Sequence, residues 1–372
     1  MKIAVIGNTA INGGTAVAAD LSLCGHEVTF AAWPGGEAVL SDIADRGGLV
    51  LTGVVAEALS GRGGLARPRL CRDAGDAVAG VDLVVLDVAA PEFEERFAWL
   101  LPRLDPDQHV HINMHGYWPA LRLAPLLRRA GREDITLSET MAPSHGAEYA
   151  PGEVVLQCVR GAIPTAVFPA SRATAAFATL SQVFPNLVPA ENVLETGFAG
   201  LNMMIHFPLV LGNIGWCDRV GEEGGTVPLY LTGMTRHGSN LVAGMDLERL
   251  AVCRAWGVRG RPLHEHLAHL YGASGDDALT AVTTSRYYRE LAPYPAAAWQ
   301  RWMAWDIPNA YVPFLTLAGI AGVDVPLHRG AIDICTALLC TDFHSSGVGP
   351  ERMELSGLSP DAVRAYVETG VR

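Results

Sequence analysis

The chain has 372 residues, which is long for a single core and natural for two domains. Hydrophobic residues make up 49% of it and charged residues 18%, a composition that excludes disordered and fibrous proteins. The net charge of −12 argues against a surface for nucleic acids or anionic membranes, and we expect partners of neither kind. Local basic pockets for small anionic substrates are compatible with that charge.

The first predicted elements are a strand, a glycine turn and a helix. The apolar run Lys2–Gly7 precedes the turn, a small-residue helical stretch follows it, and Gly25 fits the position just past the helix end. A second strand is predicted over 27–31. This order predicts the first β-α-β of a dinucleotide-binding domain. The residues expected to contact the cofactor are Gly7, Asn8, Thr9, Asn12, Gly13 and Gly14.

The glycine turn departs from the usual Gly-x-Gly-x-x-Gly fingerprint. Five other residues separate Gly7 from Gly13 and Gly14, so the middle glycine, which lets the backbone approach the pyrophosphate, is missing. We expect a turn slightly longer than the standard one.

The end of the second strand bears on cofactor choice. NAD enzymes normally place an acid there for the ribose 2′-hydroxyl, whereas this chain has Ala-Ala-Trp-Pro-Gly over 31–35. No Arg or Lys occurs between 27 and 45, and Arg46 is the first basic candidate. Of NADP and NAD we favour NADPH, because a missing acid removes repulsion of a 2′-phosphate. Trp33 is predicted either to stack on adenine or to cover the edge of the sheet.

The remaining strand-like runs predict a parallel sheet that finishes with hairpin-like strands. These runs cover 49–51, 83–88, 110–112, 135–138, 153–159 and 165–168. Residues 185–189 are predicted to form a hinge, and from about 193 onward the periodicity is helical. The predicted class is α/β. We expect an N-terminal Rossmann-type dinucleotide-binding domain over 1–187 and a C-terminal all-helical substrate-binding and catalytic domain over 188–372.

Two segments about 100 residues apart each contribute half of a predicted acid/base pair. His206 lies in an apolar helical run, and Asp306 is the only carboxylate in a tryptophan-rich segment. A buried imidazole needs a partner to fix its tautomer and a buried carboxylate needs a donor, so each can satisfy the other. The alternatives are a core histidine bonded to a backbone carbonyl and an aspartate that only caps a helix.

At this point the chain resembles the opine dehydrogenases, the family of octopine and nopaline dehydrogenases. The resemblance runs from the first strand nearly to the end and depends on the order and spacing of modest motifs. These motifs are Asn-Gly-Gly with Ala-Val-Ala-Ala-Asp20, Leu-Ser-Glu139-Thr, Pro-Gly152-Glu-Val, Phe184-Pro, Pro189-Ala-Glu-Asn-Val-Leu-Glu195-Thr, Asn202-x-x-x-His206-x-Pro208, Leu247-Glu-Arg-Leu-Ala-Val, Arg301 with Asp306-Ile-Pro308, and Gly322-Val-Asp-Val-Pro.

The resemblance implies reductive condensation of an amino acid, or another amine, with a 2-oxo acid, in which nicotinamide hydride reduces the imine to a secondary amine. By position, His206 would be the acid/base residue, Asp306 would orient it and raise its basicity, and Asn202 would line the same site. A positioned general acid is worth about 10²–10⁴-fold in rate. Arg301 matches the family pattern and is a candidate substrate-binding residue.

The chain also departs from the family pattern. Trp305 replaces an acid beside Asp306, which predicts a more apolar or aromatic amine site. Arg236, where relatives commonly carry a small residue or proline, is a candidate carboxylate anchor. His115 follows a strand at the edge where the nicotinamide should lie, and it either contacts cofactor or substrate or belongs to a plain loop. The three tryptophans at 299, 302 and 305 form a helical stripe that either packs in the core or lines an apolar pocket.

We expect no metal site. The histidine cluster at 264–269 fails the His-Glu-x-x-His spacing because Ala268 stands where the second histidine is required. The cysteines lack a Cys-x-x-Cys pair and are predicted to be reduced, mostly buried thiols: Cys24, Cys71, Cys158, Cys217, Cys253, Cys335 and Cys340.

The apolar start of the chain is broken by Asn8 and Asn12, which favours a cytoplasmic protein over a secreted one. No apolar run is expected to approach the roughly 20 residues of a membrane span, and the longest candidate lies near 314–323. We also predict a homodimer. Two alternatives to the opine-type enzyme stay open: a ketone or 2-oxo acid reductase on the same architecture, and a non-catalytic nucleotide-binding protein.

Overall fold

The computed structural model describes residues 1–7 and 13–372, which divide into two compact units. The N-terminal unit comprises Met1–His115, Pro119–Thr196 and Ala365–Arg372. The helical unit comprises Gly116–Trp118 and Gly197–Arg364. This division lies later along the chain than the expected 187/188 boundary and exchanges two short segments between the units.

The elements alternate in the first half of the chain and are mainly helical in the second. The strands assigned in the described residues are β1 (Lys2–Gly7), β2 (Glu27–Ala32), β3 (Leu49–Gly53), β4 (Gly64–Ala66), β5 (Arg69–Cys71), β6 (Leu83–Leu86), β7 (His109–Ile112), β8 (Thr136–Thr140), β9 (His145–Ala150), β10 (Glu153–Val159), β11 (Ile163–Phe168), β12 (Leu187–Pro189), β13 (Thr226–Val227) and β14 (Tyr294–Pro295).

The α-helices assigned in the same ranges are α1 (Gly14–Leu23), α2 (Glu37–Asp45), α3 (Ala74–Val78), α4 (Phe93–Leu100), α5 (Pro119–Arg129), α6 (Ala173–Val183), α7 (Val193–Phe198), α8 (Leu201–Leu211), α9 (Ile214–Glu222), α10 (Leu229–Gly233), α11 (Arg236–Trp256), α12 (Leu263–Tyr271), α13 (Ala278–Thr284), α14 (Arg286–Glu290), α15 (Ala298–Asp306), α16 (Val312–Ile320), α17 (Pro326–Leu339), α18 (Phe343–Ser346) and α19 (Pro360–Thr369). Short 3₁₀ turns cover Val55–Glu57, Ala90–Glu92, Leu101–Arg103 and Ala170–Arg172, and a π-helical turn covers Ile307–Tyr311.

The main sheet of the N-terminal unit has, in the described residues, eight strands in the order β12-β11-β8-β7-β6-β1-β2-β5. Neighbouring strands are parallel except β8 and β11, which are antiparallel. Strands β1 and β6 read as continuous apolar runs because both faces of a parallel sheet are covered. The predicted α/β class is confirmed.

The strand order reverses between β1 and β6. The chain runs from β1 outward through β2 on one side, and from β6 outward through β7 and β8 on the other. In open parallel sheets a ligand binds at the carboxyl ends of the strands beside such a switch point. Gly7, which ends β1, and Gly14, which begins α1, lie at this place.

The hairpin-like end expected for the main sheet is only partly correct. Strands β9 and β10 do pair as an antiparallel hairpin, but in a separate sheet of order β4-β3-β10-β9 within the described residues. Strand β11 then returns to the main sheet. The expected hinge at 185–189 is also wrong, because β12 pairs in parallel with β11, so this segment is part of the sheet.

The helical unit is built around the apolar helix α8, which packs against α11 and α15. It is not purely helical, because β13 and β14 form a short antiparallel ribbon. The two strands of that ribbon precede α10 and α15 in the chain.

One stretch within the described residues, Val193–Leu211, is long and apolar enough to cross a membrane by length and composition. It exceeds the run near 314–323 that the sequence suggested as the longest. However, 89% of its most apolar window is buried inside the protein, a pattern that core helices share.

Candidate active site

The helical unit brings His206 and Asp306 into direct contact. Asp306 Oδ2 lies 2.6 Å from His206 Nδ1, and the two residues are only 3% and 6% exposed. A carboxylate only accepts hydrogen bonds, so this contact puts the imidazole proton on Nδ1 and leaves Nε2 for a second partner. The structure therefore contains the buried His–Asp pair that the two sequence segments predict, although their spacing alone did not establish contact.

The local sequence around each residue explains the contact. His206 is one of the few polar residues on α8, whose other buried side chains are apolar. Asp306 ends α15, and the π-helical turn that follows it contains Pro308. Tyr311, at the end of that turn, donates a hydrogen bond of 2.5 Å to the carbonyl oxygen of Met203 on α8. This bond ties the π turn, and with it the Asp306 end of α15, to α8. Such π turns often occur at functional sites.

Tyr117 completes the environment of the carboxylate. Its hydroxyl donates to Asp306 Oδ1 at 2.5 Å and accepts a 3.1 Å hydrogen bond from the side-chain amide of Asn202. Burial, together with the neighbouring Asp306 charge, raises the pKa of Tyr117 well above its usual value. Tyr117 therefore remains a neutral donor that fixes the second oxygen of Asp306.

The backbone around Tyr117 has an unusual conformation. Trp118 has φ +51°, a left-handed conformation that is uncommon outside glycine. A side chain at Gly197 would collide with the Trp118 indole, so this close approach requires a glycine. Sequence reasoning singled out His115 in this loop and missed Tyr117. The signal available was a hydroxyl-bearing side chain five residues after the end of β7.

Tyr230 is the partner of the other imidazole nitrogen. Its hydroxyl lies 2.6 Å from His206 Nε2, and the ring of Trp302 stacks on the imidazole at 4.6 Å and 17°. No motif marks Tyr230, which lies in the short helix α10, and sequence reasoning missed it. Trp302 was considered only as part of a helical stripe, for which core packing and pocket lining were both open.

A group of aromatic rings lies around the Nε2 side of His206. We call Tyr230, Tyr271, Tyr287, Tyr288, Tyr294 and Trp302 the aromatic cluster. Tyr230 packs on Tyr288 at 5.0 Å and on Tyr294 at 5.9 Å, and Tyr271 stacks on Tyr287 at 4.5 Å. Tyr288 is buried, whereas the other five rings are partly open to solvent. The His206 side of the helical unit therefore presents an aromatic surface.

Three other residues predicted to bind substrate lie in different surroundings. Asn202 joins the site through Tyr117. Arg301 is exposed on α15, with its guanidinium carbon 5.6 Å from the Trp305 ring centre. Arg236 forms an exposed ion pair with Asp277, the residue that caps α13. The role expected for Arg236, as an anchor for a substrate carboxylate, stays a prediction.

His115 lies in the N-terminal unit, between β7 and α5, and is partly buried. It follows the carboxyl end of β7 by three residues, as the sequence predicts. Its expected contact with cofactor or substrate stays a prediction.

The described residues on either side of the glycine turn lie at the switch point of the main sheet. Gly13 has φ +86°, which favours glycine, and Gly14 begins α1. The Gly14 N–H donates to Asp87 Oδ2 at 2.8 Å, and a side chain at Gly7 or Gly14 would meet the Asp87 carboxyl group. This glycine-lined backbone at a helix N-terminus fits a dinucleotide. The predicted contacts Asn8, Thr9 and Asn12 lie outside the described residues.

Trp33 is buried in the N-terminal unit. It is 1% exposed, and its indole N–H donates to the Asp87 carbonyl oxygen at 2.8 Å. The alternative reading, a tryptophan that covers part of the sheet, agrees with this burial. Sequence reasoning also missed Arg96 of α4, whose guanidinium donates to the Pro34 carbonyl oxygen at 3.2 Å in the turn after β2. Glu37 closes the same turn by accepting from Gly35 N–H.

A buried polar network is centred on Asp20 of α1. The Asp20 carboxylate on α1 lies 2.9 Å from His145 Nε2 and accepts the backbone N–H groups of Leu59 and Ser60. Burial by itself raises the pKa of Asp20, but the hydrogen bonds and charge of His145 and the bonds from Ser60 outweigh it, and the pKa is lowered. Asp20 therefore ties α1 to β9 and to the loop after β3.

The described residues contain no group of three or more histidine, cysteine, aspartate or glutamate side chains that could hold a metal ion. His266 of the histidine cluster is buried, and burial with the nearby Arg249 and Arg261 charges holds its pKa well below the usual value. No disulfide joins any of the seven cysteines, all of which lie in the described part of the chain.

Comparison with known proteins relates this chain to a family. A family model for the alpha-helical domain of NAD/NADP octopine/nopaline dehydrogenases matches residues 189–339. An opine dehydrogenase of Arthrobacter sp. (strain 1C) is 30% identical over 359 residues, which is 96% of each chain. Octopine dehydrogenase with NADH and L-arginine has a similar fold, with TM-score 0.76 and 17% identity over 100% of this chain and 98% of that one. NADP⁺-bound yersinopine dehydrogenase gives TM-score 0.63 and 17% identity over 99% and 97%.

Proposed function

The chain belongs to the opine dehydrogenase family, and we propose that it condenses an amine with a 2-oxo acid and reduces the resulting imine to a secondary amine. Members of this family are NAD(P)-dependent oxidoreductases that act on CH–NH bonds. The observation that carries the proposal is the buried His206–Asp306 pair. The pair lies in the part of the chain that matches the family's helical domain, and reduction of an imine is accelerated by a positioned proton donor.

The cofactor we propose is NADPH or NADH, held by Gly7, Gly13, Gly14 and the neighbouring turn residues Asn8, Thr9 and Asn12. When bound, the reduced nicotinamide supplies the hydride. Octopine dehydrogenase binds NADH and yersinopine dehydrogenase binds NADP⁺. For this chain we favour NADPH, because the second strand ends in Ala32 without an acid and the Arg96 guanidinium lies beside the turn that follows.

The roles proposed for the protein's residues follow from their contacts. Asp306 holds the Nδ1 proton of His206, so a second proton on the ring would reside on Nε2 and be available to the substrate side. Tyr117 and Asn202 keep Asp306 in place. Arg301 is exposed on α15, and we propose that it binds the carboxylate of the 2-oxo acid.

For the amine, we propose a substrate with a bulky apolar or aromatic side chain. The support is the aromatic cluster beside His206, five of whose six rings are partly exposed, together with Trp305 in the position of a family acid. Burying one such side chain is worth about 1.5–3 kcal/mol.

This substrate preference predicts at least about a tenfold higher kcat/KM for phenylalanine- or leucine-like amines than for arginine or lysine. Tyr294→Ala should raise KM for the apolar amines more than for the charged ones, because it removes one wall of the cluster. Initial rates with a fixed 2-oxo acid give both numbers. Equal or better rates with the charged amines would contradict the preference.

The experiment for the function itself is a fluorescence titration of the purified protein with NADPH and NADH, followed by a panel of 2-oxo acids with and without amines. Amine-dependent nucleotide oxidation is the expected result. Oxidation by 2-oxo acid alone would favour a ketone reductase, and no nucleotide binding would favour a non-catalytic protein. The cytoplasmic location and homodimer stay predictions, which cell fractionation and light scattering test.

A further inference from the structure

Both ring nitrogens of His206 are already engaged. Nδ1 contacts Asp306 at 2.6 Å and Nε2 contacts the Tyr230 hydroxyl at 2.6 Å. The Trp302 ring covers one face of the imidazole. A proton carried by His206 therefore has one exit within this network, through the oxygen of Tyr230.

Tyr230 is more exposed to solvent than His206. His206 is only 6% exposed, whereas Tyr230 is half-buried and belongs to the partly exposed aromatic cluster. Burial and the surrounding tyrosines raise the pKa of Tyr230 well above its usual value. Its hydroxyl therefore keeps its proton through the neutral range and remains a donor.

We propose that Tyr230 is a catalytic residue that hands its proton directly to the substrate oxygen, while His206 acts behind it and returns a proton to the phenol. This inference rests on the proposed function. It places Tyr230 at the substrate and makes His206 and Asp306 the pair that drives the transfer.

The proposed proton transfer accompanies the loss of water from the amine–carbonyl adduct. The nitrogen lone pair forms the C=N bond as the C–O bond breaks, and the electron pair of the C–O bond stays on the departing oxygen. That oxygen takes the Tyr230 proton and leaves as water. The phenol oxygen takes the Nε2 proton of the His206 imidazolium, which becomes neutral with its Nδ1–H still on Asp306. In the direction of opine oxidation each transfer reverses.

The competing arrangement has the substrate displacing Tyr230 and meeting His206 Nε2 directly. Removing the hydroxyl would then uncover Nε2, so the two arrangements predict opposite effects for one substitution. Tyr230→Phe keeps the ring and its packing but removes the proton.

The test is Tyr230→Phe in the full-length protein, assayed by amine-dependent NAD(P)H oxidation. We expect kcat to fall about 10- to 100-fold with KM for both substrates and nucleotide affinity unchanged. The control is Tyr149→Phe, which removes the hydroxyl of another half-buried tyrosine, one that accepts from Gly152 N–H in the N-terminal unit, and it should leave kcat unchanged. An unchanged or higher kcat in Tyr230→Phe would overturn the proposal.

A second substitution covers the case in which Tyr230→Phe disturbs folding, as judged by circular dichroism. Incorporating 3-fluorotyrosine at position 230 makes the phenol more acidic without removing it. A shift of the kcat–pH profile to lower pH supports Tyr230 as donor, and an identical profile overturns it. If the wild-type protein itself shows no amine-dependent oxidation, the proposed function fails, which is distinguishable from failure at Tyr230.

Discussion

His206→Ala lowers kcat for amine-dependent reduction by at least about 10²-fold and leaves NAD(P)H affinity unchanged. The substitution removes the imidazole that connects Asp306 to Tyr230, each at 2.6 Å, so the proton relay loses its centre. The nucleotide turn lies in the other unit and keeps all its residues. Steady-state rates and fluorescence titration of the same preparation measure the two effects separately.

The matched control for this variant is His344→Ala. His344 also pairs with a carboxylate, Asp333, at 2.7 Å, but both side chains are largely exposed on the helical unit. It should change neither kcat nor nucleotide affinity. Near-normal turnover in His206→Ala would remove this histidine from the mechanism and with it the support for the reductive function.

The second large effect is on stability. Asp20→Ala is expected to lower the free energy of unfolding by about 3–5 kcal/mol at pH 7, because it leaves several buried hydrogen-bonding groups without a partner, each at a cost of about 1–3 kcal/mol. Both Asp20 and His145 have fully buried side chains, and two backbone N–H groups also lose their acceptor. Urea unfolding followed by circular dichroism measures the difference.

The pH dependence of this effect has a definite sign. The folded-state pKa of Asp20 is lowered, so its contribution is present above the unfolded-state value of about 3.9 and is lost as pH falls through the folded-state value. The stability difference between wild type and Asp20→Ala should therefore be full near neutrality and shrink below about pH 4. As a control, Asp324→Ala removes an exposed ion pair with Arg329 and should change stability little. Equal stability of Asp20→Ala and wild type at pH 7 would contradict the role given to the network.

The sequence predicted those parts of the fold that depend on local pattern. The order of β1, α1 and β2 followed from an apolar run, a glycine turn and a small-residue helix, each of which acts over a few residues. The predicted hinge at 185–189 was wrong because prolines at both ends suggested a break, while pairing with the distant β11 decides that a strand forms there. The separate sheet of β3, β4, β9 and β10 could not be predicted either, because β3 pairs with β10, which is distant in the sequence.

The site residues also differ in whether local sequence or long-range contacts reveal them. His206 and Asp306 were identifiable because an isolated polar residue in an apolar segment must be satisfied. Tyr117 and Tyr230 were not, because tyrosine is common and only the three-dimensional contacts bring these two hydroxyls to the pair. The role of Trp33 was ambiguous in the sequence, because the partner of its indole N–H, the Asp87 carbonyl oxygen, comes 54 residues later in the chain. The pairing of Arg236 with Asp277 was likewise not predictable, because the two residues lie 41 positions apart in the sequence.

The central claim is that hydride reaches a carbon bonded to nitrogen, and an isotope label tests it most directly. The protein is incubated with a 2-oxo acid, an apolar amino acid and NAD(P)H that carries deuterium at the transferable position, and the products are analysed by mass spectrometry. The account predicts a secondary amine dicarboxylate with one deuterium at the former carbonyl carbon, formed only when the amine is present. Deuterium in a 2-hydroxy acid, with no labelled secondary amine, would contradict it.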